Sequence, residues 1–129
     1  MQYSRLDWGL LLLRIGFGGI MAFVHGLPKL NKLISGDFAF ADPLGLGAAF
    51  SLVLVVLAEF VCGLLIASGL LTRLATIPLI VTMLVAAFIT HGDDPWQKKE
   101  MAVLYLIAYL ALALTGPGRL SLDALRNRS

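Results

Sequence analysis

Four apolar stretches, at about 6–27, 47–71, 74–90 and 100–115, occupy most of this 129-residue chain. A membrane-crossing helix needs roughly 20 predominantly apolar residues. In hydrocarbon only a structure that closes its own backbone hydrogen bonds is tolerated, which makes helices the form these stretches must take. The chain is 59% hydrophobic and 14% charged, with a mean hydropathy of +0.89, well beyond an ordinary soluble domain. Four crossings leave no room for a separate soluble domain. The expectation is therefore an all-α fold: one integral membrane domain over 1–129, an antiparallel four-helix bundle with a short interfacial segment after the first helix.

The connections differ in character. Leu71-Thr72-Arg73 is all that separates the second and third stretches, so they form a tight hairpin with Arg73 at the membrane edge. Thr72 or Thr76 is a candidate N-cap for the third helix, which would place Pro78 in its first turns; a kink is the alternative. The first connection carries Pro28, Leu30, Leu33, Ile34, Phe38, Phe40 and Pro43, too apolar for a free linker and too interrupted to span. Leu27, Leu30, Leu33 and Ile34 recur at helical spacing, so a short interfacial helix is expected, with Lys29 and Lys32 facing headgroups. The first stretch runs into Phe23-Val24-His25-Gly26 instead of a small-residue cleavage site, and is expected to remain as a helix.

The net charge of +2 comes from residues in loops and the tail and is read as a topology signal, with no nucleic-acid role. An even number of crossings puts both termini on one side with Arg5, Arg73, Arg119, Arg126 and Arg128, against Lys29, Lys32, Lys98 and Lys99 on the other. That balance favours cytoplasmic termini. Cys62 is the single cysteine, which excludes a disulfide within the chain. It is read as a small core residue, and Trp8 and Trp96 as opposite ends of an aromatic belt.

Arg14 and Glu59 lie inside apolar runs, where a charge is costly unless paired or hydrated. Counting at 1.5 Å per residue from 6 and from 71 puts them about 12 Å and about 18 Å from the same surface. An Arg14–Glu59 pair across the first two helices is expected, fixing their packing or serving function. Gly16, Gly18, Gly19 and Ala22 on the first helix, and Gly63 with Ala67 on the second, offer small surfaces for close packing. His25 follows Arg14 by three turns, on the same face.

Antiparallel topology gathers His25, Lys29, His91 and Glu100 at the side away from the termini, with Tyr105 about one and a half turns below Glu100. Such groups could relay protons or hydrogen-bond a quinone carbonyl, since imidazole both donates and accepts near neutral pH. The candidate catalytic residues are His25, Glu59, His91 and Glu100, and the candidate cofactor-binding residues Arg14, His25, Lys29 and Tyr105. Two histidines and a glutamate could also hold a metal, but no H-E-x-x-H spacing supports one, and none is expected.

LLLRIGFGGIMAFVHGLPKL, the Glu59 segment AEFVCGLLIASGLLTRLA, and Glu100-x-x-x-x-Tyr105 followed by LTGPGRLSLD together resemble the DoxX family of small four-helix membrane proteins, over nearly the whole chain. The resemblance implies a bacterial inner-membrane protein. It also implies redox work: one branch resembles the small membrane subunit of a thiosulfate:quinone oxidoreductase, and others are associated with membrane oxidoreductase complexes or with catechol and quinone stress. The wider superfamily includes assembly and maturation factors. The positions it implicates are Arg14, His25, Lys29, Glu59, Arg73, His91, Glu100 and Tyr105.

Three functions follow as expectations. The first is a quinone-linked oxidoreductase component, with quinone as cofactor, membrane lipids around it and electrons from a soluble or membrane redox partner. No flavin, haem or iron–sulfur ligand set is visible in the sequence. The second is a membrane assembly or scaffold protein, and the third a small transporter or proton path, which lacks the broken helices or inverted repeats of a carrier. An oligomer is compatible with all three.

Overall fold

The computed structural model describes residues 2–128, and all regular structure in it is helical. Helices α1 (Arg5–Ile34), α2 (Ala48–Ser68) and α3 (Thr72–Thr90) are long and apolar enough to cross a membrane. Helix α4 (Trp96–Thr115) has 20 residues but opens on Lys98, Lys99 and Glu100, and a short α5 (Leu122–Arg128) follows. The Arg128 side chain, counted in the charge balance, lies outside the described residues.

The expected interfacial helix exists, as Leu27–Ile34, but is joined to α1 without a break. The join is a wide turn of i→i+5 bonding at Met21–Gly26, where Leu27 N–H donates to Ala22 O. Pro28 falls in the first turn after it, where a missing N–H does least harm. Similar wide turns occupy Leu57–Cys62 in α2 and Ala86–Thr90 at the end of α3. Such turns are rare, and frequent at functional sites because they re-aim the side chains around them.

Helices α1 and α2 run antiparallel in backbone contact. A Cβ at Gly18 would come within 2.6 Å of Gly63 O and 2.7 Å of Ala67 N, and one at Gly26 within 2.6 Å of Phe60 N. Gly18, Ala22 and Gly63 are thus used as small packing surfaces. Gly16 and Gly19 have open space where a Cβ would sit. Helix α4 buries Ala102, Tyr105, Leu106, Tyr109 and Leu112, one helical face, in a core shared with Leu79, Met83 and Ala87 of α3. Tyr109 Oη donates to Phe17 O at 3.0 Å, tying α4 to α1. Leu12, Phe23, Ile77, Phe88, Ile107 and Leu114 are exposed on the outside, far more apolar surface than a soluble monomer shows.

This register overturns the expected Arg14–Glu59 pair. Glu59 lies level with Gly26, twelve residues beyond Arg14, or about 18 Å along α1, out of an arginine's reach. The depth count took residues 6 and 71 as level, whereas the first turns of α1 run past the end of α2 to meet the tail. Arg14 is 1% exposed and turns toward the termini, where Nε donates to Ile66 O at 3.2 Å and Nη1 to Pro117 O at 2.6 Å and Leu120 O at 2.8 Å. Ile66 lies in the last turn of α2, at the negative end of the helix dipole, and its carbonyl also accepts from Gly69 N–H at 3.1 Å.

The tail is fastened at two more points. Arg119 meets Asp7, its backbone N–H at 3.1 Å and its Nε at 3.0 Å, while Asp7 and Ser4 cap α1 reciprocally. Asp123 accepts from Leu71 N at 2.8 Å and Thr72 N at 3.0 Å. Asp123 is therefore the cap of α3, in place of the expected Thr72 or Thr76. Thr72 is the first helical residue instead, after Leu71 in a left-handed conformation (φ 50°). Pro78 lies inside α3. At the other end of the molecule Asp42 opens α2, accepting from Leu46 N, Gly47 N and Ser51 Oγ at 2.8 to 2.9 Å.

Replacing Arg14 by Met takes the donor from the part-buried Pro117 and Leu120 carbonyls, so it is expected to destabilise the protein by about 3 kcal/mol and to open the tail to trypsin at Arg119, read by melting temperature and limited proteolysis in detergent. A second expectation concerns acid. The Gly47 backbone N–H foremost, against some burial and with help from Ser51, holds the Asp42 carboxyl below its ordinary value. Its stabilisation is fully present above the unfolded value of about 3.9 and is lost as pH falls through the lower folded value. The melting-temperature gap between wild type and Asp42→Ala should therefore be constant at neutral pH and close in strong acid.

Candidate functional site

A cavity of about 330 Å³ lies between α2, α3 and the connection that follows α1. Its wall is mostly apolar, with Leu54 and Val55 from α2, Val81 and Val85 from α3, and Phe40, Pro43 and Leu44 from the connection. Into this surface come Lys29, Ser51, Glu59, Thr82, Thr90 and His91. A pocket of this size and polarity, with few polar groups that converge, is the usual form of a small-molecule site.

Lys29 Nζ meets Glu59 Oε1 at 2.5 Å, with the Glu59 side chain 7% exposed and that of Lys29 28% exposed. The backbone explains why these two meet. Gly26 brings α1 onto Phe60 and Glu59 without a Cβ between them, and the wide turns at Met21–Gly26 and Leu57–Cys62 lie against each other at this level. Lys29 follows Gly18 by eleven residues, three turns along the face that contacts α2. The carboxylate is thereby paired, as a buried charge requires. An ammonium has three N–H donors, and Glu59 takes one of those on Lys29.

His91 stands where α3 ends, capping the Ala86–Thr90 turn through its backbone N–H to Ala86 O at 3.0 Å. Its ring Nδ1 lies 2.8 Å from Asp94 Oδ2. Gly92-Asp93-Asp94-Pro95 folds back on itself, with Asp94 N–H donating to His91 O at 3.0 Å and Lys99 Nζ to Gly92 O at 3.0 Å. The His91 hydrogen bond, against some burial and aided by the Lys98 charge, keeps the Asp94 carboxyl below the usual carboxylate range.

The other sequence candidates lie elsewhere. His25 packs edge-on against Tyr105 at 5.7 Å between ring centroids, within a cluster that includes Phe17 and Tyr109, and does not line the cavity. Tyr105 is buried in that cluster. Glu100 is exposed on the first turns of α4 and outside the cavity wall. Arg14 and Arg73 serve the opposite end, Arg73 Nη2 donating to Leu114 O at 3.3 Å and packing on Gly116. Cys62 is half-buried beside the core. Among the described residues no group of three or more His, Cys, Asp or Glu is placed to hold a metal ion.

Two features escaped the sequence reading. The Lys29–Glu59 pair was legible in principle, since Lys29 continues the small-residue face of α1, but its partner depended on the register. Asp94 was signalled by the Gly-Asp-Asp-Pro turn after His91, which brings a residue three positions on back to the ring.

Comparison with known proteins bears on the whole arrangement. A Bacillus subtilis (strain 168) protein named "Putative oxidoreductase CatD" is 34% identical over 121 residues, 93% of this chain and 88% of that protein. "Inner membrane protein YqjF" of Escherichia coli (strain K12) is 31% identical over 126 residues, 95% of each. No solved structure matches the chain. The family model for DoxX matches residues 9–92, from the first turns of α1 through His91 and Gly92. With its apolar outer surface, three helices long and apolar enough to cross a membrane and these two relatives, the chain is a membrane protein and belongs to the DoxX family.

Proposed function

We propose that this protein is the quinone-binding component of a membrane oxidoreductase, built as an antiparallel bundle of four crossing helices with both termini in the cytoplasm. The observation that carries this reading is the Lys29–Glu59 pair in the wall of an otherwise apolar cavity. Replacing a buried ion pair by apolar residues is often neutral or stabilising, so the pair is weakly explained by stability alone. A quinone ring has apolar faces and carbonyl acceptors at its edge. The cavity suits the ring, and the spare N–H donors of Lys29 suit a carbonyl. Ser51, Thr82 and Thr90 add hydroxyls on the same wall.

When bound, a quinone supplies the capacity to take up two electrons and two protons. Glu59 holds the Lys29 ammonium in place, and the surrounding valines and leucines exclude water. Electrons come from a soluble or membrane redox partner. The name of the Bacillus relative supports this class of chemistry. In α4, 20 residues suffice for a crossing, and Lys98, Lys99 and Glu100 stand at its end, where charged side chains reach the headgroups. The arginines on the side of the termini support the orientation, and the Escherichia coli relative supports an inner-membrane location.

The test is purification in mild detergent, lipid extraction and mass spectrometry of what stays bound. Wild type is expected to retain quinone and to melt several degrees higher with an added short-chain quinone, while the double variant Lys29→Met, Glu59→Leu, which leaves no buried charge unpaired, folds but does neither. A protein that retains no quinone and shows no shift, yet co-purifies with a stable protein partner, would replace this reading with the assembly-factor one.

A further inference from the structure

The cavity wall carries a second polar group, and its chemistry differs from that of Lys29. His91 contributes to the wall, and its Nδ1 is 2.8 Å from Asp94 Oδ2. An ionised carboxylate only accepts, so Nδ1 must be the protonated nitrogen in the neutral ring, and Nε2 carries the lone pair. Among the described residues no hydrogen bond engages Nε2. Lys29, in the same wall, is a donor and cannot accept. The wall therefore includes both an N–H donor and a residue with an acceptor nitrogen. The charged neighbours of His91 are Asp93, Asp94, Lys98 and Lys99 on its own turn and on α4, with Lys29 and Glu59 also in the cavity wall.

We infer that this polarity makes the site selective for the reduced form of its ligand, with His91 Nε2 accepting from a hydroquinone hydroxyl and Asp94 acting as the positioning residue that fixes the tautomer. A hydroquinone satisfies both groups, since one oxygen accepts from Lys29 and the other hydroxyl donates to Nε2. A quinone satisfies Lys29 alone and turns a carbonyl lone pair toward a nitrogen lone pair. The inference rests on the quinone reading of the cavity, and adds to it the redox state that is held most tightly.

Dissociation constants for ubiquinone-1 and ubiquinol-1, measured anaerobically on the full chain in nanodiscs at about pH 8, where imidazole is ordinarily neutral, test this directly. Wild type is expected to bind the quinol several-fold more tightly, about the net worth of one hydrogen bond at a half-exposed side chain. Asp94→Ala frees the ring to take the Nε2–H tautomer, and should bring the ratio close to one by weakening quinol binding and strengthening that of the quinone. Asp94→Asn can turn its N–H₂ toward Nδ1, favouring the opposite tautomer, and should bring the ratio to one or below. A purely structural role for Asp94 would move neither ratio nor tautomer. The chain has two histidines, so ¹⁵N spectra assigned with His25→Asn read the tautomer of His91, expected to be Nδ1–H in wild type and to shift in both Asp94 variants. Equal binding of the two forms by wild type, or a ratio unchanged in both variants, overturns the inference and leaves the quinone reading standing. Failure of both forms to bind overturns the two together.

Discussion

Gly18, Ala22 and Gly26 on α1 meet Ala67, Gly63 and Phe60 on α2 close enough that a Cβ at any of the three glycines would strike the facing helix. Without a hydrophobic force between helices in lipid, packing contacts of this kind supply much of the association, and they work only where side chains are small. They also set the register, because the two backbones interlock at definite residues. From that register follows the destination of each buried charge on these helices: Glu59 comes level with Gly26 and within reach of Lys29, and Arg14 comes level with the end of α2.

The two ends of the molecule divide the work. At the end of the termini, Arg14, Arg119 and Asp123 bind backbone groups and Asp7, fastening the tail across α1, α2 and α3. Their donors and acceptors are consumed by the protein's own chain, which marks them as structural. At the other end, Lys29 and His91 each keep hydrogen-bonding capacity beyond their partners Glu59 and Asp94, and that capacity borders an apolar cavity. The three wide turns cluster with this second group: His25 and Glu59 lie within two of them and His91 caps the third. Each departs from the α-helical pattern and re-aims side chains, a local cost placed where polar groups must converge.

The sequence by itself determined that the chain is helical and lives in a membrane, because apolar stretches of that length have no other way to close their backbone hydrogen bonds. It determined the hairpin at Arg73, the helical nature of Leu27–Ile34, and the small-residue faces of α1 and α2, each of which depends on residues near in the chain. It also determined which side chains were out of place in hydrocarbon, since Arg14 and Glu59 are conspicuous in apolar runs. Only the tertiary structure decided their partners. A depth count fixes a residue along its own helix, but pairing depends on the offset between helices, and that offset is set by where glycine lets two backbones touch. The same holds for the capping of α3 by Asp123, some fifty residues away in sequence, and for the exclusion of Glu100 from the cavity. Sharing an end of the molecule is a one-dimensional condition, whereas facing one cavity also depends on the rotation of each helix about its axis, which the wide turns and the packing contacts set together.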